Sequence, residues 1–280
     1  METTIAAGLA AAAGGGGAPA GTMDAEVPAS SGTAVFAYTC EPLTGEVPTS
    51  EKTRVLHCLR HAQGTHNIAV ATEGEGAYAN WDYRDARLTP TGFEQAKSAV
   101  AKMATLECDA ILVSPLSRTI QTAVTAIPSG CDRMFALELI RERYGLNPCD
   151  LRREKNELQK EFPMINFDTL ENETDHLWSP EREPLPTLQK RANDFLAYIF
   201  ENAFCGRQVG IVTHNDFLTM LLYDSALIMG PGMPENRKFA NCESNSYVIT
   251  RKEICPNVDT LSEEQKARYP KSAGNTPVVQ

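Results

Sequence analysis

Residues Arg54 to Ala69 read RVLHCLRHAQGTHNIA. The first half, Val55 to Leu59, is a short aliphatic run of the kind that suits a strand buried on both faces, and it gives way at once to Arg60 and His61. Two later stretches repeat the pattern. DAILVSP, Asp109 to Pro115, runs into Ser117 and Arg118, and RQVGIVTHND, Arg207 to Asp216, sets Ile211 and Val212 just before His214. Helical patterns lie between them. LTPTGFEQAKSAVAKMATL has Pro90 near a helix start and Phe93, Ala96, Val100 and Met103 on one stripe; PTLQKRANDFLAYIFENA does the same with Leu188, Ala192, Phe195, Leu196 and Ile199. Buried strands alternating with amphipathic helices predict an α/β fold, a three-layer α/β/α sandwich around a mostly parallel central sheet. Ligands of such sheets bind beyond the carboxyl ends of the strands, so Arg60, His61, Arg118 and His214 are expected at one edge although they are far apart in sequence.

Two guanidiniums at one point form a planar, permanently charged clamp for a phosphoryl group. A neutral imidazole between them can attack phosphorus, while a second imidazole and the arginines stabilise charge on the equatorial oxygens. His61 and His214 fit those roles. Helix N-termini after Ser117 and His214 are expected to add backbone N–H groups. The leaving oxygen then needs a proton donor, and LELIRERYG offers Glu138 and Glu142, either of which becomes an acid if burial raises its pKa.

Three of the five histidines fall in the opening stretch, which raises a metal site as the competing reading. His57 and His61 have the H-x-x-x-H spacing that suits a helix, but VLHCL reads as a strand, on which two such side chains stand about 13 Å apart, too far to share one ion. No metal and no cofactor is expected. His57 is read as a structural histidine of the strand, and His66 and His176 as loop residues.

The chain has 280 residues, 42% of them hydrophobic, enough for one good-sized core. Its formal net charge of −10, with no basic block, argues against a nucleic-acid surface. Eight cysteines without a C-x-x-C pair read as small hydrophobes in a reducing, cytoplasmic setting, and no apolar run is long enough to span a membrane. Residues 1–50 are expected to be disordered or irregular, with an Ala/Gly low-complexity tract over 1–22. An organelle-targeting segment is the alternative for that tract, against which stand its lack of Arg and its Glu2. The domain is expected over 51–251, and a polar, proline-punctuated tail over 252–280.

LRHAQGTHN resembles the R-H-G signature of the histidine phosphatase superfamily, which includes phosphoglycerate mutases and many phosphatases. LTPTGFEQA is similar to the family's helix start, SPLSRTIQTA to its second arginine segment and IVTHND to its second histidine. NPCDLRRE, INFDTLENETDHLW and FANCE further resemble the plant and fungal branch labelled phosphoglycerate mutase-like. The resemblance implies a phosphohistidine on His61, a phosphate pocket of Arg60, Arg118 and His214 with Asn67 as a further contact, and no metal. It departs from the pattern at Ala62, where the family has Gly, and at Arg141, which stands where the family's acid often sits, so that Glu142 becomes the better candidate. Ala62 and Gln63 are expected to border the phosphate. YGLNPCDLRREKNELQKEF replaces the segment with which mutases grip phosphoglycerate. The expected function is therefore hydrolysis of a small phosphorylated metabolite. Phosphoglycerate mutase-type transfer and a weakly catalytic phospholigand-binding module are the alternatives. The insertion around 146–182, with Arg152, Arg153 and Lys155, is expected to cap the pocket and set substrate choice. Oligomeric state is not legible.

Overall fold

A computed structural model describes residues 35–225, 227–233 and 238–255. The described strands are β1 (Val35–Pro42), β2 (Thr53–Arg60), β3 (Ala110–Val113), β4 (Met134–Ala136), β5 (Gln208–Thr213), β6 (Leu227–Met229) and β7 (Ser244–Cys255). They form one sheet in the order β4-β3-β5-β2-β7-β1-β6. Every pairing is parallel except those of β7, which runs antiparallel to both β2 and β1. The helices are α1 (Thr65–Glu73), α2 (Pro90–Met103), α3 (Ser117–Ala126), α4 (Lys155–Glu161), α5 (Leu185–Glu201) and α6 (Asn215–Thr219), the last running into a π turn over Met220–Asp224.

The three layers follow from strand alternation. Leu56, Cys58, Leu112 and Ile211 face a core that contains Leu188, Ala192, Phe195, Leu196 and Ile199 of α5. Their neighbours Leu59, Ile111, Val113 and Val212 face the other core, with Ala96 and Met103 of α2 and Ile120 and Ala123 of α3. The α5 stripe is thus the one its periodicity predicts. In α2, Ala96 and Met103 are buried and Phe93 and Val100 half-buried; the helix starts where Thr89 caps it by accepting from the Gly92 N–H and Pro90 sits at its first turn.

The structure corrects the expected boundaries. Val35–Pro42, placed by the sequence reading in an irregular segment, pairs with both β7 and β6 and buries Tyr38 and Cys40 in the core. The expected tail begins at 252, yet β7 continues to Cys255, because β1 partners it from Tyr247 to Cys255. The insertion around 146–182 is only in part a cap: Leu158, Phe162, Ile165, Phe167 and Leu170 belong to the core, and Asn166 extends the sheet beside β4. The low-complexity tract over 1–22 and the tail beyond 255 lie outside the described residues. Among the described residues, no helix is long and apolar enough to cross a membrane.

Candidate active site

β3, β5 and β2 are neighbours and parallel, so their carboxyl ends share one edge. The last residue of β2, Arg60, is in register with Thr213 of β5, and the His61 N–H donates to the Thr213 carbonyl at 2.9 Å. His61 and His214 therefore leave adjacent strands side by side, with ring centres 5.1 Å apart. Both are buried. Ser114, one residue past β3, shares a 2.7 Å hydrogen bond with His214 Nε2.

A cavity of about 360 Å³ opens at this edge, lined by Arg60, His61, Asn67, Arg118 and Glu142 from the sequence-predicted set. His214 is packed against His61 and is not itself a lining residue. His61 Nδ1 lies 2.8 Å from its neighbour's carbonyl, Ala62 O, which can only accept, so Nδ1 carries the proton and Nε2 keeps its lone pair. Burial, followed by the charges of Arg118 and Arg60, holds the His61 pKa well below its ordinary 6.5. The ring is neutral at physiological pH. The same causes depress His214.

Arg118 is buried, and it donates to the Cys149 carbonyl at 2.6 Å and to Asp150 Oδ1 at 2.8 Å. Asp150 is a bridge, since its other oxygen accepts from Arg182 at 2.8 Å. Arg60 donates to the Phe239 carbonyl. Four buried nitrogens of this cluster, Arg60 Nε, Arg118 Nε, His66 Nδ1 and His214 Nδ1, have no hydrogen-bond partner among the described residues. Three of the four belong to side chains that line the cavity, and His214 packs behind His61.

Glu142 is half-buried and lines the cavity. Its Oε1 accepts from the Arg143 N–H at 3.0 Å and the Asp216 N–H at 3.1 Å, bonds that favour the anion. Desolvation outweighs them: with the nearby charges of Asp216 and Asp150 it pushes the Glu142 pKa up to about 8. Glu138 does not face the cavity but pairs with Arg152 at 2.7 Å and Arg141 at 3.0 Å. Arg141 is wholly buried and also paired with Asp175 at 2.6 Å. Of the two carboxyl candidates, Glu142 lines the cavity and Glu138 does not.

Several sequence expectations are overturned here. His66 is not a loop residue: it lies in α1, buried, lines the cavity, and its ring centre is 5.7 Å from that of His61. A Cβ on Gly64 would come within 2.7 Å of that ring, so the missing side chain makes room for it. Asn67 Oδ1 accepts from the Gly64 N–H at 2.9 Å, which turns its amide nitrogen towards His66 Nε2 at 3.0 Å. Ala62 and Gln63 do not border the cavity. Ala62 is sealed into the core, and Gln63 accepts from the Thr89 hydroxyl at 2.7 Å. At each of the two helix N-termini one of the expected donors is already taken. The Ser117 N–H donates to Asp85 at 2.8 Å, and the Asp216 N–H is taken by Glu142. Arg152 and Arg153 are held in ion pairs, and with Lys155 they lie off the cavity; of the insertion, Asn147, Cys149, Asp150 and Arg182 reach it. Tyr78, Asn215, Asp216 and Lys238 complete the lining and were not singled out from the sequence. The one local signal was G-x-x-N at Gly64 to Asn67, a pattern in which the third helical residue folds back on the cap and so ties this loop to the site. His57, by contrast, is the structural residue expected, bonded to Ser246 at 2.7 Å and Gln208 at 3.2 Å.

The profile of the histidine phosphatase superfamily (branch 1) matches residues 56–261. The chain belongs to that superfamily. Two curated relatives from Arabidopsis thaliana are similar to it. A phosphoglycerate mutase-like protein is 32% identical over 70% of this chain and 84% of its own length, and phosphoglycerate mutase-like protein 1 is 31% identical over 70% and 81%. Among solved structures, the α-ribazole phosphatase from Shigella flexneri aligns with a TM-score of 0.46 at 19% identity, covering 69% of this chain and 89% of that one. Within the superfamily member described here, the matched span contains His61, Arg60, Asn67, Arg118, Glu142 and His214.

Proposed function

We propose that this protein is a phosphomonoesterase of the plant and fungal phosphoglycerate mutase-like type, hydrolysing a small phosphorylated metabolite through a phosphohistidine on His61. The observation that carries the proposal is the convergence of Arg60, Arg118 and Asn67 on one cavity with His61, a neutral imidazole whose tautomer is fixed by the Ala62 carbonyl. The negative charge of a phosphoryl group complements Arg60 and Arg118, and its oxygens are acceptors for the donors that line the cavity.

In the first step, the His61 Nε2 lone pair forms an N–P bond as the ester P–O bond breaks, and the departing alcohol oxygen takes the proton of Glu142. Arg60, Arg118 and the amide nitrogen of Asn67 hold the equatorial oxygens. A Ser114 hydroxyl that donates to His214 Nε2 leaves the His214 proton on Nδ1 and holds the ring beside His61. In the second step, water loses a proton to Glu142 and forms an O–P bond as the N–P bond breaks, which releases phosphate and restores both residues. The side chain of Asp216, whose N–H bonds Glu142, is 43% exposed, so the cavity is open to water on that side, which supports hydrolysis over transfer.

Phosphate release from a panel of monoesters, including para-nitrophenyl phosphate, tests the reading. Turnover is expected for the unaltered chain and a loss of at least ~10³-fold for His61→Ala. Equal rates for the two would contradict it.

A further inference from the structure

The cavity's leaving-group half has its own chemistry. Four cationic side chains line the whole cavity, Arg60, Arg118, Arg182 and Lys238, against the carboxylates of Asp150 and Asp216 and the protonated acid Glu142. The histidines are neutral. The surplus is two positive charges, and a phosphate monoester dianion neutralises it. If Glu142 ionises, the surplus falls to one. Either way no positive charge is left for a second anion on the substrate.

The remaining lining groups are polar and mostly uncommitted. The Tyr78 hydroxyl and the Asn147 side-chain amide make no hydrogen bond to other described residues, and each can both donate and accept. Asp216 accepts from Asn215 Nδ2 at 3.1 Å through one oxygen, while its other oxygen stands 3.7 Å from Arg182, beyond hydrogen-bond reach. Among the described lining residues there is no Leu, Ile, Val, Met or Phe. At about 360 Å³ the cavity is at the small end of the roughly 300–1,000 Å³ typical of small-molecule sites. An apolar or aryl alcohol would leave these polar groups desolvated without partners, whereas vicinal hydroxyls satisfy donors and acceptors together.

Resting on the phosphomonoesterase reading, we infer that the substrate is the monophosphate of a neutral, polyhydroxylated alcohol, a sugar or polyol phosphate, whose hydroxyls are bound by Tyr78, Asn147 and Asp216. Phosphocarboxylates such as phosphoglycerate, and sugar bisphosphates, are disfavoured by the charge balance of the cavity.

The test is kcat/KM of the full chain for glucose phosphate, sorbitol phosphate, phosphoglycerate, a hexose bisphosphate, a nucleoside monophosphate and para-nitrophenyl phosphate. The monoesters of hexose or hexitol are expected to lead phosphoglycerate and the bisphosphate by about tenfold or more. Asn147→Arg adds a positive charge and is expected to move the ratio of phosphoglycerate to hexitol phosphate about tenfold towards phosphoglycerate. Tyr78→Phe, a milder change, is expected to lower the ratio of hexitol phosphate to para-nitrophenyl phosphate several-fold. Preference for phosphoglycerate, the bisphosphate or the nucleotide, equal turnover of the aryl ester, or ratios unmoved by both variants would overturn the inference while leaving the hydrolase reading intact. No phosphate release from any ester would remove the hydrolase reading and this inference together.

Discussion

Residue by residue, the proposed mechanism depends on opposite protonation states held side by side. His61 must be neutral to attack, and burial beside Arg118 and Arg60 keeps it so down to pH values well below 6.5. Glu142 must be protonated to give its proton to the leaving alcohol, and desolvation together with Asp216 and Asp150 keeps it so up to about pH 8. The Glu142 pKa is raised, so acid function is present below that value and lost above it: kcat/KM for an alkyl phosphate is expected to stay flat through neutrality and fall as pH rises past about 8. Glu142→Gln should remove that limb and lower alkyl-ester turnover by ~10²–10⁴-fold, with a smaller loss for para-nitrophenyl phosphate, whose leaving group needs no proton. A pH–rate profile of the two proteins checks it. Arg60, His61, Asn67, Arg118, Glu142 and His214 were legible because each sits at a strand end, or within a few residues of one, or in a quoted motif. Asp150 and Arg182 were not. Asp150 matters through ion pairs to Arg118, 32 positions away, and to Arg182, 32 positions the other way, and nothing local in NPCDLRRE distinguishes it from the other charges there.

At the scale of elements, the strand-end logic held because β2, β3 and β5 are aliphatic on both faces, and only a sandwiched parallel strand needs that. β1 was overlooked although Tyr38, Thr39 and Cys40 alternate buried, exposed, buried, a period-2 signal too short to stand out beside a polar flank. The insertion was misjudged for a different reason: its charges suggested a substrate-reading surface, but Arg141, Arg152, Glu138 and Asp175 form an internal network that fastens it. Its hinge is Gly145, at φ +78, where a Cβ would come within 1.9 Å of the Glu181 carbonyl oxygen. The Gly145 carbonyl accepts from Arg182 at 3.0 Å, so the same turn positions a cavity residue. Gly145→Ala should cost about 1–3 kcal/mol in backbone strain alone and, by displacing Arg182, raise KM. Thermal melts and steady-state kinetics on one preparation read both effects.

At the scale of the whole molecule, the sheet brings the two histidines together, since the hydrogen bond from His61 N–H to the Thr213 carbonyl is a continuation of the β2–β5 ladder. That ladder is buttressed by β7, and β7 in turn by β1. A chain shortened to begin after Pro42 is expected to lose the burial of Tyr38 and Cys40 and to expose β7 as an edge, a cost of more than about 3 kcal/mol that should appear as a lower Tm or insoluble protein. An unchanged Tm would show β1 to be dispensable. Phosphorylation of His61 during turnover is read by rapid quenching with radiolabelled para-nitrophenyl phosphate followed by peptide mapping. Label stable to base and labile to acid is predicted on His61 and absent from His61→Ala; label on another residue, or steady turnover with no labelled enzyme and a fully active His61→Ala, would contradict it.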